Sequence, residues 1–206
     1  MLKSTPKQKH LPMISIVGVD GSGKSTVLSA IQQNFNDHHV CDVHILNRVY
    51  KKSAQGKPVQ NYAQPPHSAL YSVTKLFYLA FLWIIHYYFN VLRMKRNGTL
   101  ILCDHFYFLG TTLDPLKYRY GGPDFLLKWV LRVIPQPDLY IFLDAPLEVV
   151  YERKQEASPQ EMELLISKHR EYMSEIPNSC MIDATKPVDQ VVADVSEKIE
   201  QLIEQL

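Results

Sequence analysis

Met13-Ile14-Ser15-Ile16-Val17-Gly18-Val19-Asp20-Gly21-Ser22-Gly23-Lys24-Ser25-Thr26 is the stretch on which the reading of this chain turns. Its first five residues form an apolar run with the character of a buried strand. Gly18 to Ser25 then matches the phosphate-binding pattern Gly-x-x-x-x-Gly-Lys-Ser in full. Val27-Leu28, Ala30-Ile31 and Phe35 follow at helical spacing, which sets the loop between a strand and a helix. The chemistry of such a loop is largely that of its backbone. Glycines let the chain curl until successive N–H groups converge on phosphate oxygens, and the helix N-terminus adds partial positive charge. Lys24 is placed to reach the β- and γ-phosphates, and the Ser25 hydroxyl to ligate Mg²⁺. The pattern predicts a nucleoside-triphosphate binder.

The rest of the composition narrows the class. At 206 residues the chain is read as one domain, 1–206, large enough for a substantial core. A net charge of +1 leaves no broad basic field to release counterions, which argues against a nucleic-acid partner. Cys41, Cys103 and Cys180 are far apart and lie in or beside apolar runs, so they read as buried thiols in a reducing compartment. The eight histidines form no ligand cluster with cysteines or carboxylates. Lys3, Lys7 and Lys9 make a basic start, but the apolar stretch after Pro12 is too short for a signal peptide, and the expected location is cytoplasmic.

Strand-like runs recur at Met13–Val19, Cys41–Leu46, Leu100–Cys103, Leu139–Leu143 and Cys180–Ile182. Helices are predicted between them, at about 24–35, 67–96, 123–134, 146–156, 159–175 and 187–205. Such alternation predicts an α/β fold, a parallel sheet covered by helices on both faces. Right-handed crossovers then bring every loop that follows a strand to one edge, where ligands gather. Gly18–Lys24, Arg48, Asp104, Asp144 and Asp183 should therefore approach one cleft. Ser158-Pro159-Gln160-Glu161 is a capping box with proline at the first helical position, which starts a helix there. Residues 51–66 are polar and proline-bearing and read as a long loop over the active edge.

Leu76 to Phe89 is almost continuously apolar and aromatic, with Lys75 before it and Arg93, Lys95 and Arg96 after. It reads as a buried central helix or one packed against a second copy, with membrane-surface contact by 76–96 as the alternative. A membrane span, which needs about 20 apolar residues, would tear this helix from the sheet it must cover.

At several points the sequence resembles the thymidylate kinase family of nucleoside monophosphate kinases. Asp20–Thr26 reproduces the family's Asp-Gly-x-Gly-Lys-Ser-Thr. Leu100-Ile101-Leu102-Cys103-Asp104-His105-Phe106-Tyr107 is similar to its strand ending in Asp-Arg and aromatics. Pro137-Asp138 through Leu143-Asp144-Ala145-Pro146 to Glu152-Arg153-Lys154 follows its Pro-Asp, strand, Leu-Asp-x-Pro signature, and Met181-Ile182-Asp183-Ala184-Thr185 is similar to its adenine-side loop. The resemblance implies a three-layer P-loop fold with a five-stranded parallel sheet, expected order 2-3-1-4-5, and a short lid at about 153–160. It implies ATP and Mg²⁺. Gly18, Asp20, Gly21, Ser22, Gly23, Lys24, Ser25, Thr26 and Thr185 would bind the nucleotide, and Ser25 with Asp104 the metal. Lys24, Asp104 and Arg153 would be catalytic, Arg153 arriving with the lid to stabilise the transferring group. Asp144 could serve the same role as Asp104, but reads first as the cap of the helix that begins at Pro146. Lys168 and Arg170, on the next helix, could contribute charge beside the lid, with Lys168 read rather as solvated charge.

The acceptor side departs from that family. Where thymidylate kinases usually carry Arg-Glu-Pro-Gly-Gly, this chain has Asn47-Arg48-Val49-Tyr50-Lys51-Lys52, and Asp-Arg has become Asp104-His105. Histidine cannot make arginine's two-pronged contact with phosphate. A turn-rich segment, Asp114 to Pro123, sets Arg119 between Tyr118 and Tyr120, suited equally to a bound ring and phosphate or to a rigid loop. Arg48, His105, Tyr107 and Arg119 are the candidate acceptor contacts. The resulting expectation is Mg-ATP-dependent phosphoryl transfer to a nucleoside monophosphate, dTMP first. The alternatives are a kinase of the same fold acting on a sugar or lipid-linked acceptor at the membrane face, and a non-catalytic nucleotide-binding module. Because thymidylate kinases pair through helices flanking the site, a homodimer is also anticipated.

Overall fold

The computed structural model describes residues 10–35, 39–42, 64–104, 106–155 and 158–206; for 39–42 and for Asp104 the description is of the backbone. Five strands, β1 (Met13–Val17), β2 (His39–Asp42), β3 (Thr99–Asp104), β4 (Leu139–Asp144) and β5 (Ser179–Asp183), lie in the order β2-β3-β1-β4-β5. Every pairing is parallel. The helices are α1 (Lys24–Asn34), α2 (Ala69–His86), α3 (Leu92–Arg96), α4 (Tyr107–Leu113), α5 (Asp124–Val133), α6 (Leu147–Arg153), α7 (Pro159–Glu175) and α8 (Val188–Gln205). A π-helical turn, Tyr87–Val91, joins α2 to α3.

Strand alternation divides the core into two clusters, one on each face of the sheet. Ile14, Ile16, Leu100, Leu102, Ile141 and Leu143 look toward α1, α6, α8 and the first half of α7. Met13, Val17, Ile101, Cys103, Tyr140 and Phe142 look toward α2, α4, α5 and Met173 of α7. The central strand β1 is buried along its whole length, as expected of a parallel sheet covered on both sides. With all strands parallel, the turns after β1, β3, β4 and β5 open at one edge.

Asp138 and Lys95 organise the opposite edge. The Lys95 ammonium donates to both Asp138 carboxylate oxygens at 2.8 and 2.6 Å, and the Met13 amide donates to Asp138 at 2.6 Å. One carboxylate thus ties the starts of β1 and β4 to the helix that leads into β3. The capping box at Ser158 is present: Ser158 Oγ accepts from the Glu161 amide while Glu161 accepts from the Ser158 amide.

Four sequence expectations need correction. The helix expected over 67–96 is present and continuous over Ala69–Arg96, through the π-turn, but it is buried on one side only and not centrally. Leu76, Leu79, Ala80 and Trp83 pack inward, while Phe77, Tyr78, Phe81, Ile85, Tyr88 and Phe89 are exposed. Helix α4 was not anticipated. Its sequence, Tyr-Phe-Leu-Gly-Thr-Thr-Leu, has poor intrinsic helix propensity, and burial of Phe108, Leu109 and Leu113 overrides it. Asp144 does not cap α6, which has Pro146 at its N-cap and no side-chain cap bond; the carboxylate instead accepts from Arg170 Nε at 2.9 and 3.1 Å. Strand β2 begins at His39, two residues earlier than read, and the remainder of the expected run, 43–46, lies outside the described residues.

Candidate active site

The loop from Gly18 to Lys24 runs from the end of β1 into α1 at the open edge of the sheet. Gly21 and Gly23 both have φ of +94°, a backbone state that side chains disfavour. A Cβ at Gly21 would meet the Val150 carbonyl oxygen at 2.7 Å, so α6 presses on the loop from outside. A Cβ at Gly23 would meet nothing within 4 Å, so the loop is open on that side. Lys24 is the first residue of α1 and is 5% exposed. Its ammonium donates to the Gly18 and Val19 carbonyls at 2.9 and 2.8 Å and lies 3.7 Å from Asp20. Ser22 is buried with its hydroxyl unpartnered among the described residues, whereas Ser25 and Thr26 are exposed in the first turn of α1.

These features fit a triphosphate and its Mg²⁺. An orphaned buried hydroxyl, a curl that requires glycine and is open at Gly23, a lysine folded back onto loop carbonyls and an exposed serine hydroxyl at a helix N-terminus are the donors such a ligand needs.

The other turns come to the same edge. Arg153, at the end of α6, donates to the Ala184 carbonyl at 3.2 Å. It therefore stands beside the turn after β5, where the Thr185 amide and hydroxyl donate to Asp183 at 2.9 and 2.6 Å. Those two bonds hold the Asp183 carboxyl below its ordinary pKa. The next residue, Lys154, packs beside Gly21 closely enough that a Cβ on the glycine would lie 3.3 Å from the lysine Cβ. Of the expected lid, 153–160, residues 156 and 157 lie outside the described residues.

Asp104 ends β3 one strand away from the phosphate loop, with its Cα in register with Ile16. Its side chain lies outside the described residues, as do Arg48 and His105 entirely. Tyr107 opens α4, half-buried, its ring edge-on to Tyr118 with centroids 5.3 Å apart. Arg119 has φ of +53°, and its guanidinium donates to the Pro65 carbonyl at 3.0 Å and to Gln64 Oε1 at 2.6 Å. It fastens segment 64–67 to the loop. Tyr120 is buried, with its hydroxyl donating to the Pro123 carbonyl at 3.2 Å, and burial raises its pKa. The structure thus favours the rigid-loop reading of Tyr118-Arg119-Tyr120 over the ring-binding one.

Two neighbours, Lys117 and His169, escaped the sequence reading. Lys117 forms an ion pair with Asp20. Its signal was only the cation count of a loop in which Arg119 drew attention. His169 of α7 is 7% exposed, lies flat on Phe142 with centroids 5.6 Å apart, and has Nδ1 2.7 Å from the Leu165 carbonyl. Its pKa is lowered, chiefly by burial and further by the charges of Lys24 and Lys117. Arg170 neutralises Asp144 at the tip of β4. Lys168, between them, is exposed.

Comparison with known proteins agrees with this geometry. The family model described as thymidylate kinase matches residues 16–195. A probable thymidylate kinase of Pyrobaculum aerophilum is 26% identical, the alignment covering 94% of this chain and 98% of that protein. One from Methanosarcina mazei is also 26% identical with the same coverage, and probable thymidylate kinase 1 of Saccharolobus solfataricus is 23% identical over 87% and 92% of the two chains. A phosphate loop built for a triphosphate, at the head of a chain that matches this model over most of its length, leads to one conclusion: the chain belongs to the thymidylate kinase family and is an ATP-dependent nucleoside monophosphate kinase.

Proposed function

We propose that the enzyme transfers the γ-phosphoryl group of Mg-ATP to a nucleoside monophosphate, with dTMP as the acceptor. The observation that carries the donor half is Lys24, folded onto the Gly18 and Val19 carbonyls of a glycine loop that is open at Gly23. The acceptor rests on the family match and on relatives named probable thymidylate kinase.

In this reading an oxygen of the acceptor phosphate attacks the γ-phosphorus, the bond to the β–γ bridging oxygen breaks, and ADP leaves. Such transfer needs positioning and charge neutralisation more than covalent help. Gly18, Asp20, Gly21, Ser22 and Gly23 shape the cradle, and Lys24 swings from the loop carbonyls to the β- and γ-phosphates. Ser25 and Asp104 would hold Mg²⁺, which when bound offsets the charge on the phosphate oxygens. Thr26 faces the α-phosphate. Thr185 and Arg153 flank the nucleotide, and Arg153 with the 153–160 lid excludes water so that transfer beats hydrolysis. Arg48, His105, Tyr107 and Arg119 remain the acceptor-side candidates. Chain 1–206 acts as a single domain, and a cytoplasmic location suits its substrates. The sugar, lipid and non-catalytic readings gain no support from the family or the relatives.

We also infer a homodimer. The exposed stripe of α2 continues onto α5 through Phe77 and Trp129, whose rings lie 6.1 Å apart, and onto Phe125 and Val133. Ala69–Arg96 is long and apolar enough to cross a membrane by length and composition, but Leu76, Leu79 and Trp83 bind it to the core. A second copy is the occupant that the family resemblance favours for the other face.

ADP release from Mg-ATP against all nucleoside monophosphates, with Lys24→Ala as blank, tests the reading. Lys24-dependent turnover with dTMP supports it. Turnover with a different monophosphate moves the acceptor, and none with any of them overturns the proposal.

A further inference from the structure

The ammonium of Lys117 is held against the Asp20 carboxylate, and the other oxygen of that carboxylate lies 3.7 Å from Lys24. One acid of the phosphate loop therefore sits between two cations, one from the loop itself and one from the segment between α4 and α5. We infer that Lys117 is a positioning residue for the donor triphosphate: it neutralises Asp20 and holds it to one side, so that the phosphate loop meets the polyanion without an opposing negative charge. The inference rests on the reading of this loop as an ATP site.

The segment that carries Lys117 is stiff. The Lys117 amide donates to Asp114 Oδ1 at 3.1 Å, the Arg119 amide to the Leu116 carbonyl at 2.9 Å, and the Tyr120 amide to the Pro115 carbonyl at 2.8 Å. The Gly121 amide then donates to Ser72 Oγ at 3.0 Å, which anchors the far end to α2. A flexible lysine on a mobile loop gains little from a surface ion pair, because ordering two side chains offsets the Coulomb attraction. Here the backbone of Lys117 is already fixed, and its partner lies only 18% exposed in the phosphate loop. With Lys117 32% exposed, the pair is screened by salt only in part.

Asp20 without Lys117 would behave differently. Its carboxylate would compete with the incoming phosphates for Lys24 and would repel them directly. With Lys117 in place, Asp20 is satisfied from the acceptor side, and Lys24 is released to the ligand. The ion pair also links the donor loop to the segment that the sequence marks as unusual on the acceptor side.

Calorimetric binding of Mg-ATP and of ADP to the full-length protein, with no acceptor present, tests this. The wild type must bind Mg-ATP, and if it does not, the ATP-site reading fails before the role of Lys117 is reached. Given binding, Lys117→Met should weaken Mg-ATP by about tenfold, as expected for exposing one like charge at partly screened distance. Lys117→Arg, which keeps the charge, should stay within about threefold. In an Asp20→Asn background, where no carboxylate needs neutralising, Lys117→Met should cost less than about threefold. Equal losses in both backgrounds, or no loss in the wild-type background, would overturn the proposal. Melting of each unliganded variant separates a collapsed loop from a changed affinity. If Lys117→Met does not fold, Lys117→Gln and the arginine variant carry the same comparison.

Discussion

Lys95 is almost fully buried and gives its ammonium to Asp138, which at the same time accepts from the Met13 amide. The two partners are not equivalent. Removing Asp138 strands a buried cation and an amide, whereas removing Lys95 leaves Asp138 its amide and partial contact with water. Breaking a buried pair by deleting one partner costs about 3–5 kcal/mol. Asp138→Ala is therefore expected near that figure in urea unfolding, and Lys95→Met about 1–2 kcal/mol, since methionine refills the space. Equal losses would mean that the carboxylate does not act as the shared anchor.

That pair also shows how the sequence was legible and where it stopped. Pro137-Asp138 was recognised as part of a signature, and the apolar run after it located β4 to within one residue. What Asp138 does depends on Lys95 and Met13, 43 and 125 positions away in the chain, and no local pattern carries such a pairing. The strand–loop–helix setting of the phosphate loop was legible because its pattern lies in consecutive residues. The capping box at Ser158 was legible for the same reason. The loop at 114–123 left two readings open, because no local pattern distinguishes an arginine that meets a phosphate from one that braces a loop; here the Arg119 guanidinium donates to Pro65 and Gln64, while Lys117 two residues earlier reaches Asp20. Asp144 looked like a cap because Pro146 follows it, and only the fold brings Arg170 alongside. Helix α4 went unread because packing, not propensity, makes it helical.

Gly21 is constrained twice, by φ of +94° and by the Val150 carbonyl 2.7 Å from where a Cβ would sit. Relief requires the loop to uncurl or α6 to move, and α6 ends in Arg153. Gly21→Ala is expected to destabilise by about 1–3 kcal/mol and to weaken ATP binding at least about tenfold. Thermal melting and nucleotide titration on the same sample check both. Unchanged ATP affinity would show that the curl is not needed.

Lys24 is expected to matter to turnover far more than to stability. Its hydrogen bonds are to loop carbonyls that water serves as well, whereas the phosphate contact proposed for it needs its charge. Lys24→Met should lower kcat by about 10²–10³-fold, the range for losing one preorganised charge contact in phosphoryl or acyl transfer. Steady-state ADP release reads this, and a fall of less than tenfold would remove Lys24 from the chemistry.

His169 gives the stability a pH dependence of known sign. Its pKa is lowered from the ordinary 6.5 by burial first, with Lys24 and Lys117 adding to the shift and the Leu165 carbonyl and Asp114 opposing it. The unfolded chain therefore binds the proton more readily than the native one. The stabilisation from neutral His169 is complete above 6.5, and is lost as pH falls from there through the lower native value. His169→Gln should flatten the stability profile below pH 6.5 while leaving its slope above that point unchanged. A profile with the same acid slope in both proteins would assign the effect to another group.

Phe81 is 60% exposed at the middle of the aromatic stripe, and Trp129 of α5 is 52% exposed beside Phe77. An apolar face of this length is seldom left to water. If a second copy covers it, a charge at its centre must be buried without a partner on association, which costs several kcal/mol. Phe81→Glu is then expected to weaken dimerisation by at least about 10²-fold while leaving the monomer folded, since the wild-type side chain already faces outward. Light scattering coupled to size exclusion reads the mass of both proteins across a dilution series. A wild type that stays monomeric at every concentration overturns the dimer. Flotation of that monomer with anionic vesicles, lost in Phe81→Glu, would then assign the face to a membrane surface, with Arg93 and Arg96 as its cationic rim.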